Sequence, residues 1–150
     1  MKWNEKYSIR LSKVCVVLFA LTVAVLALTG PWVVKWFVKF SRAALLGRET
    51  FLLASMYAAV PPALAVLWLL WQLLGNLQKG RVFIPQNAAY LRGVSWCCIA
   101  AAWICLASGL YYLPFLLVAV LAGFMALIVR VVKNVFEQAI VLQNDADYTI

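Results

Sequence analysis

The chain has 150 residues, of which 67% are hydrophobic and only 12% are charged, with 13 basic residues against 5 acidic ones. A soluble domain averages about 45–50% apolar and about 25% charged residues, so this chain has too little polar sequence to cover a soluble core. The basic residues stand between long neutral runs and are not gathered on a soluble face, so they do not predict direct nucleic-acid binding.

Three runs of the sequence contain no charged residue, and they predict four membrane crossings. The runs extend over residues 14–34, 50–78 and 93–129. About 20 apolar residues cross a bilayer core of roughly 30 Å, and a helix satisfies its own backbone there. We therefore predict an all-α integral membrane protein, one domain over residues 1–150, folded as a four-helix transmembrane bundle. Its crossings are expected at about 14–34, 51–74, 93–108 and 114–132.

The segment after the first crossing predicts an amphipathic helix that lies in the membrane interface. Three basic residues share a narrow arc at helical spacing: Lys35, Lys39 and Arg42. Apolar residues, mostly aromatic, fall opposite: Val33, Trp36, Phe37, Phe40 and Ala44. The alternative is an extension of the first crossing followed by a loop.

The second crossing contains Pro61 and Pro62, which predict a kink. A proline has no N–H, so the carbonyls of Tyr57 and Ala58 lose their helical partners. Those carbonyls could coordinate a ligand or be met by a neighbouring side chain or a water. A kink that serves packing is the simpler interpretation.

Residues 73–96 are the one long stretch that mixes glycine, proline, amides and basic side chains. Gly75 and Gly80 bracket its first half, and Pro85 suits the first position of a helix. We predict a hairpin that is extended over residues 80–84 before the proline. The third helix would then begin outside the bilayer.

The fourth helix is expected to continue past the bilayer as an amphipathic extension. One half of its helical wheel is apolar: Val131, Val132, Val135, Phe136, Ala139, Ile140 and Leu142. The other half is polar: Lys133, Asn134, Glu137 and Gln138. Such an extension needs a partner, which is either the inner face of the membrane or another protein.

Basic residues concentrate on the cytoplasmic side of membrane proteins. With four crossings, nine of them share the side of both termini: Lys2, Lys6, Arg10, Lys13, Lys79, Arg81, Arg92, Arg130 and Lys133. Four lie on the other side: Lys35, Lys39, Arg42 and Arg48. The asymmetry predicts that both termini and the hairpin are cytoplasmic.

Residue types that carry most catalysis and metal binding are scarce in this chain. There is no histidine, and the four cysteines, Cys15, Cys97, Cys98 and Cys105, form no C-x-x-C pair. Apart from Arg130 at an edge, no charged residue falls within a crossing, which argues against coupled transport. We expect no enzymatic activity, no cofactor and no metal.

The hairpin and the C-terminus together resemble DUF2975, a family of small bacterial integral membrane proteins of unknown function. The family's cytoplasmic loop has the form G-x-x-F-[ST]-x-x-N-x-x-x-L-R. This chain matches it at Gly80, Phe83, Asn87, Leu91 and Arg92. The family's acidic tail corresponds here to residues 147–150, where Tyr148 replaces the usual leucine, and is preceded by Asp145 and the pair Val135-Phe136. The resemblance implies four crossings in a bacterial inner membrane and a helix-turn-helix regulator of the Xre type as partner.

Ile84 stands where the family often has a serine or threonine that would cap the helix starting at Pro85. Asn87 is the candidate substitute, with its side-chain oxygen turned back toward an exposed N–H near the helix start. We further predict that the C-terminal helix folds back under the bundle, with its acidic end against the basic hairpin. Exposed ion pairs give only about 0–1 kcal/mol, so the apolar half of the extension must hold it. The alternative is a tail that lies in the interface or is disordered at its end.

The candidate interaction residues are Gly80, Arg81, Phe83, Asn87, Arg92, Phe136, Asp145, Asp147 and Ile150. Two functions remain open. The first is a non-enzymatic regulator that acts through the hairpin and the tail. The second is a lipid or small-molecule binder, or an immunity-type protein, that uses a cavity near Pro61 and Pro62 and the outer aromatic helix. Homo-oligomers are possible, because the small residues 100–102 could pack within one bundle or between two.

Overall fold

The computed structural model describes residues 2–41 and 47–148, and that part of the chain is helical without any strand. It forms five helices: α1 (Lys2–Leu28), α2 (Gly30–Phe40), α3 (Glu49–Gln78), α4 (Pro85–Ser108) and α5 (Pro114–Tyr148). The all-α prediction is confirmed.

Four of the helices are long and apolar enough to cross a membrane, as the charge-free runs predict. The shortest, α4, has 24 residues, which at 1.5 Å per residue is about 36 Å and exceeds a bilayer core of roughly 30 Å. α5 has 35 residues and is about 52 Å long. A helix of that length extends about 20 Å beyond a bilayer core.

The four long helices form an open row and do not close into the predicted bundle. α1 packs on α3, α3 on α4 and α4 on α5, while no backbone contact joins α1 to α5 within the described residues. Lipid tails are as apolar as leucine side chains, so helices in a bilayer gain no hydrophobic free energy from closing a core. The many exposed apolar side chains on both edges of the row fit this environment.

Side-chain contacts order the two ends of the row. Lys13 Nζ donates to Gln78 Oε1 at 2.6 Å and lies 5.0 Å from the ring centre of Trp71. The basic N-terminal part of α1 is therefore at the end that carries residues 78–85, which we call the hairpin end. The opposite end carries the turn between α4 and α5, residues 109–113, and we call it the turn end.

The predicted first crossing is broken at Thr29, where α1 stops and α2 starts. The residue at helical position i+4 from Ala27 is Pro31, which has no N–H to donate to the Ala27 carbonyl. The hydroxyl of Tyr57 donates to that carbonyl instead, at 2.9 Å. A Cβ on Gly30 would lie 2.9 Å from the same hydroxyl oxygen, so a side chain at this position would force the Tyr57 hydroxyl to shift.

α2 is a separate short helix with one buried face that the sequence pattern did not reveal. Val34 and Val38 are buried against Leu52 of α3, and the Phe37 ring meets Tyr112 edge-on at 5.9 Å. The basic residues Lys35 and Lys39 are exposed, and Trp36 and Phe40 are exposed and stacked on each other. Two residues of the predicted amphipathic segment, Arg42 and Ala44, lie outside the described residues.

Candidate interaction surface at the α3–α4 hairpin

α3 ends in a pattern of backbone hydrogen bonds that requires glycine at position 80. The N–H of Arg81 donates to the carbonyl of Asn76 at 3.0 Å, and the N–H of Gly80 donates to the carbonyl of Leu77 at 3.1 Å. This is the Schellman arrangement of helix C-termini, which needs a residue in the left-handed conformation. Gly80 has a φ of 77°, a region that glycine enters without steric cost. The turn that the sequence predicts at Gly80 is therefore a Schellman turn, with Gly80 in the left-handed conformation.

α4 begins at Pro85, a position where a helix needs no N–H donor and therefore accepts proline. Ile84, the residue before it, is extended with φ −117° and ψ 148°. No side chain caps this helix. The N–H of Asn87 instead donates to the carbonyl of Ile84 at 3.1 Å. The capping role predicted for the Asn87 side chain is therefore wrong.

The Asn87 side chain instead joins the loop to the end of α3. Its Nδ2 donates to the carbonyls of Arg81 at 2.9 Å and Val82 at 2.7 Å, and its Oδ1 accepts from Nδ2 of Asn76 at 2.9 Å. Two carbonyls can only accept, so the amide nitrogen must be the atom that faces them. The two carbonyl acceptors and the Asn76 donor therefore fix the orientation of the Asn87 amide. Its oxygen is turned away from the N–H groups at the start of α4.

Asn87 is completely buried, with 0% relative exposure, and no other large side chain among the described residues is buried to that degree. Both of its N–H groups and one oxygen lone pair are used. Burying an amide is costly unless it is hydrogen-bonded, and here the three bonds offset that cost. The hairpin is therefore a fixed structure, held by Asn76 and Asn87 across its base; we call this pair the amide clamp.

α5 is attached to the hairpin by an aromatic contact and by charges. The rings of Phe83 and Phe136 have centres 5.5 Å apart. Arg92 Nη2, on α4, lies 3.2 Å from Glu137 Oε1 on α5, whereas Lys133 Nζ, 3.5 Å from the same oxygen, belongs to α5 itself. The structure thus brings Phe83, Arg92 and Phe136 together, as the predicted docking of the extension on the hairpin requires.

The fold-back of the acidic tail is wrong. α5 runs uninterrupted to Tyr148, because its sequence after Gly123 contains neither glycine nor proline. Asp147 is eleven residues beyond Phe136, which places it about 16 Å further along the helix axis. Among residues 2–41 and 47–148, no ion pair joins Asp147 to Arg81. Asp145 and Asp147 are exposed, and Ile150 lies outside the described residues.

The surface at the hairpin end suits recognition by charge and shape. Lys79, Arg81 and Arg92 are exposed around the fixed loop, and Phe83 is half-exposed beside them. Sequence reasoning found these residues but missed Asn76, whose role is visible only once the turn at Gly80 brings it beside Asn87. In the sequence, the only indication of this role is that Asn76 carries an amide and stands one helical turn before Gly80, the glycine that ends α3.

Near the paired prolines, where the sequence predicts a cavity, the structure has an apolar cleft that is open to the surface; we call it the cavity at Pro62. α3 runs through Pro61 and Pro62 without a break, and α1 and α4 flank it on one side. The space between them measures about 350 Å³ and is lined by apolar and cysteine side chains, including Phe19, Pro62 and Cys98.

Comparisons with known proteins identify a family but no characterised relative. Neither the curated proteins nor the solved structures contain a match to the chain. The family model described as "Protein of unknown function (DUF2975)" matches residues 34–150, from the middle of α2 to the last residue. The match includes the hairpin, the amide clamp and the whole of α5. The chain therefore belongs to the DUF2975 family.

Proposed function

We propose that this chain is a non-enzymatic, multi-pass membrane protein that binds a cytoplasmic protein through the hairpin end. The interaction surface consists of Lys79, Arg81, Phe83, Arg92 and the adjoining face of α5 around Phe136. The observation that carries the proposal is the amide clamp, because it fixes an exposed basic loop. A surface that is already ordered loses less conformational entropy when a partner binds.

The partner is expected to present acidic groups to this surface. Arg81 is exposed, and its guanidinium offers five N–H donors in a planar fork that suits carboxylates. The family resemblance suggests a small Xre-type regulator as that partner, with the membrane protein holding or modulating it. We expect no direct contact between this protein and nucleic acid.

The proposed location is a bacterial inner membrane with both termini in the cytoplasm. The count of nine basic residues against four supports this orientation. The contact of Lys13 with Gln78 supports it further, since it brings the basic start of α1 beside the hairpin. In this orientation α2 lies at the outer interface, with Lys35 and Lys39 toward the headgroups. The open row also leaves room for association of copies through its edges.

Photo-crosslinking in intact cells tests the proposal. A photoreactive amino acid at Arg81 is expected to give a covalent adduct with a soluble protein, which mass spectrometry identifies. The matched control is the same amino acid at Lys39, which is also basic and exposed but lies at the turn end. Equal adducts at both positions, or none at Arg81, would contradict the proposal.

The cavity at Pro62 supports a second candidate function, the binding of an apolar ligand between α1, α3 and α4. Its lining offers shape and apolar contact but no charged group. Ala63→Phe would fill this space. Ala65→Phe is the matched control, because Ala65 lies on the same helix but does not line the space. Organic extraction of the purified variants is expected to show loss of a co-purifying apolar compound from Ala63→Phe alone. Identical extracts from both variants would remove this candidate.

A further inference from the structure

The turn end contains a chain of hydroxyl groups in otherwise apolar surroundings. Ser108 Oγ lies 2.8 Å from Ser55 Oγ, which lies 2.6 Å from Tyr111 Oη. The Tyr111 hydroxyl also lies 3.4 Å from the carbonyl of Phe51. These bonds join α3 to the end of α4, and Ser108 is buried. We call Ser55, Ser108 and Tyr111 the polar wall; none of them belongs to the hairpin or lines the cavity at Pro62.

The guanidinium group of Arg48 lies beside the polar wall. Arg48 Nη1 donates to the carbonyl of Tyr111 at 2.6 Å, which holds the exposed guanidinium over the end of α4. A guanidinium has five N–H donors, so most of its donors remain for a ligand. Within the described part of the chain, Arg48 makes no ion pair, although the exposed Glu49 follows it in sequence.

Below the guanidinium, a groove of about 550 Å³ opens between α3 and α4. Arg48, Ser55, Ser108 and Tyr111 line its polar part. The rest of the lining is apolar: Phe51, Ala54, Ala58, Ile104, Ala107 and Leu110. Three alanines leave the space that larger side chains would fill. The volume is within the range of about 300–1,000 Å³ that is typical of small-molecule sites.

We propose that this groove binds an anionic phospholipid of the surrounding bilayer. Its phosphate would accept hydrogen bonds from Arg48, and one acyl chain would lie along Ala54, Ala58 and Ala107. Arginine is favoured for phosphate because its planar fork can form two parallel hydrogen bonds. Charge complementarity supports the assignment.

The position of the groove supports a lipid over a soluble anion. It lies on two helices that are long and apolar enough to span a membrane, and its mouth is flanked by Leu110, which is 90% exposed, and Phe51, which is 63% exposed. An inorganic phosphate would use the guanidinium but leave the apolar lining empty. A lipid uses both parts.

Lipid titrations monitored by native mass spectrometry test the proposal on the purified full-length protein in a nonionic detergent. The probes are phosphatidylglycerol, phosphatidylcholine with the same acyl chains, and inorganic phosphate. We expect the wild-type protein to bind phosphatidylglycerol at least about tenfold more tightly than phosphatidylcholine. Both lipids offer a phosphate to Arg48, but the quaternary ammonium of phosphatidylcholine repels the guanidinium, whereas phosphatidylglycerol has a net negative charge. Equal affinity for the two lipids, or binding of inorganic phosphate as tight as that of phosphatidylglycerol, would overturn the proposal.

Two matched pairs of variants, together with the conservative replacement Arg48→Lys, assign the effect to the groove. Arg48→Gln is expected to abolish the preference for phosphatidylglycerol and Arg48→Lys to retain part of it. Lys39→Gln removes the same charge at the same end, away from the groove, and is expected to keep the preference. Ala107→Leu fills the groove and is expected to weaken both lipids, whereas Ala100→Leu, two turns earlier on α4, does not line it. If Arg48→Gln changes binding no more than Lys39→Gln, or Ala107→Leu no more than Ala100→Leu, the proposal is wrong.

Discussion

Replacing Asn87 by alanine removes three hydrogen bonds at once and measures how much the amide clamp stabilises the protein. The carbonyls of Arg81 and Val82 lose a donor, and the amide of Asn76 loses an acceptor. A typical hydrogen bond contributes a net 0.5–1.5 kcal/mol. Water reaches the exposed Arg81 more easily than a fully buried group, so we use this net value instead of the larger penalty for an unsatisfied buried group. For three such bonds the expected loss is about 1.5–4.5 kcal/mol.

Reversible unfolding in mixed detergent micelles, followed by circular dichroism, measures this loss. Asn134→Ala is the matched control, because Asn134 is exposed on α5 and makes no side-chain hydrogen bond within the described residues; it should change stability by less than about 0.5 kcal/mol. Asn87→Asp sharpens the test. It keeps the shape but sets a carboxylate oxygen against two carbonyls, so it should destabilise at least as much as alanine. If Asn87→Ala is as stable as Asn134→Ala, or Asn87→Asp as stable as the wild type, the clamp is refuted.

Three further changes test other parts of the structure by the same unfolding measurement. Gly80→Ala forces a side chain to a positive φ and should cost about 1–2 kcal/mol, whereas Gly75→Ala, in a helical turn with open space around it, should be neutral or stabilising; equal effects would contradict the helix end described. Gly30→Ala should destabilise less in a Tyr57→Phe background than in the wild type, because the nearest atom to the new Cβ is removed; strict additivity would refute this contact. Glu137→Gln should cost under about 1 kcal/mol, since its pair with Arg92 on α4 is exposed and its pair with Lys133 lies within α5; a larger loss would mean that charge holds α5.

The helices and the hairpin were predictable because local signals determine them. Charge-free runs set the four long helices, and Gly80 and Pro85 set the end of α3 and the start of α4. The orientation of Asn87 was not predictable. An asparagine near a helix start can cap it or reach elsewhere, and only the loop carbonyls beside it decide between the two.

Two other errors have different physical origins. The predicted fold-back of the tail required a turn in the C-terminal helix, although the sequence after Gly123 offers no residue at which α5 would turn. The open row could not be distinguished from a bundle, because side chains that face lipid and side chains that face another helix are equally apolar. The contact of Arg48 with Tyr111 joins residues 63 positions apart, and neither residue type indicates it.

We infer that the amide clamp and α5 form one fixed surface at the hairpin end. The distance distribution between spin labels at Arg81 and Gln138, both exposed, tests it most directly. The labels are introduced into a variant whose four cysteines are replaced by alanine, and double electron–electron resonance gives the distribution. A single narrow distribution that broadens in Asn87→Ala is the predicted result. A distribution that is already broad with Asn87 present, or that is unchanged by its replacement, would contradict the claim.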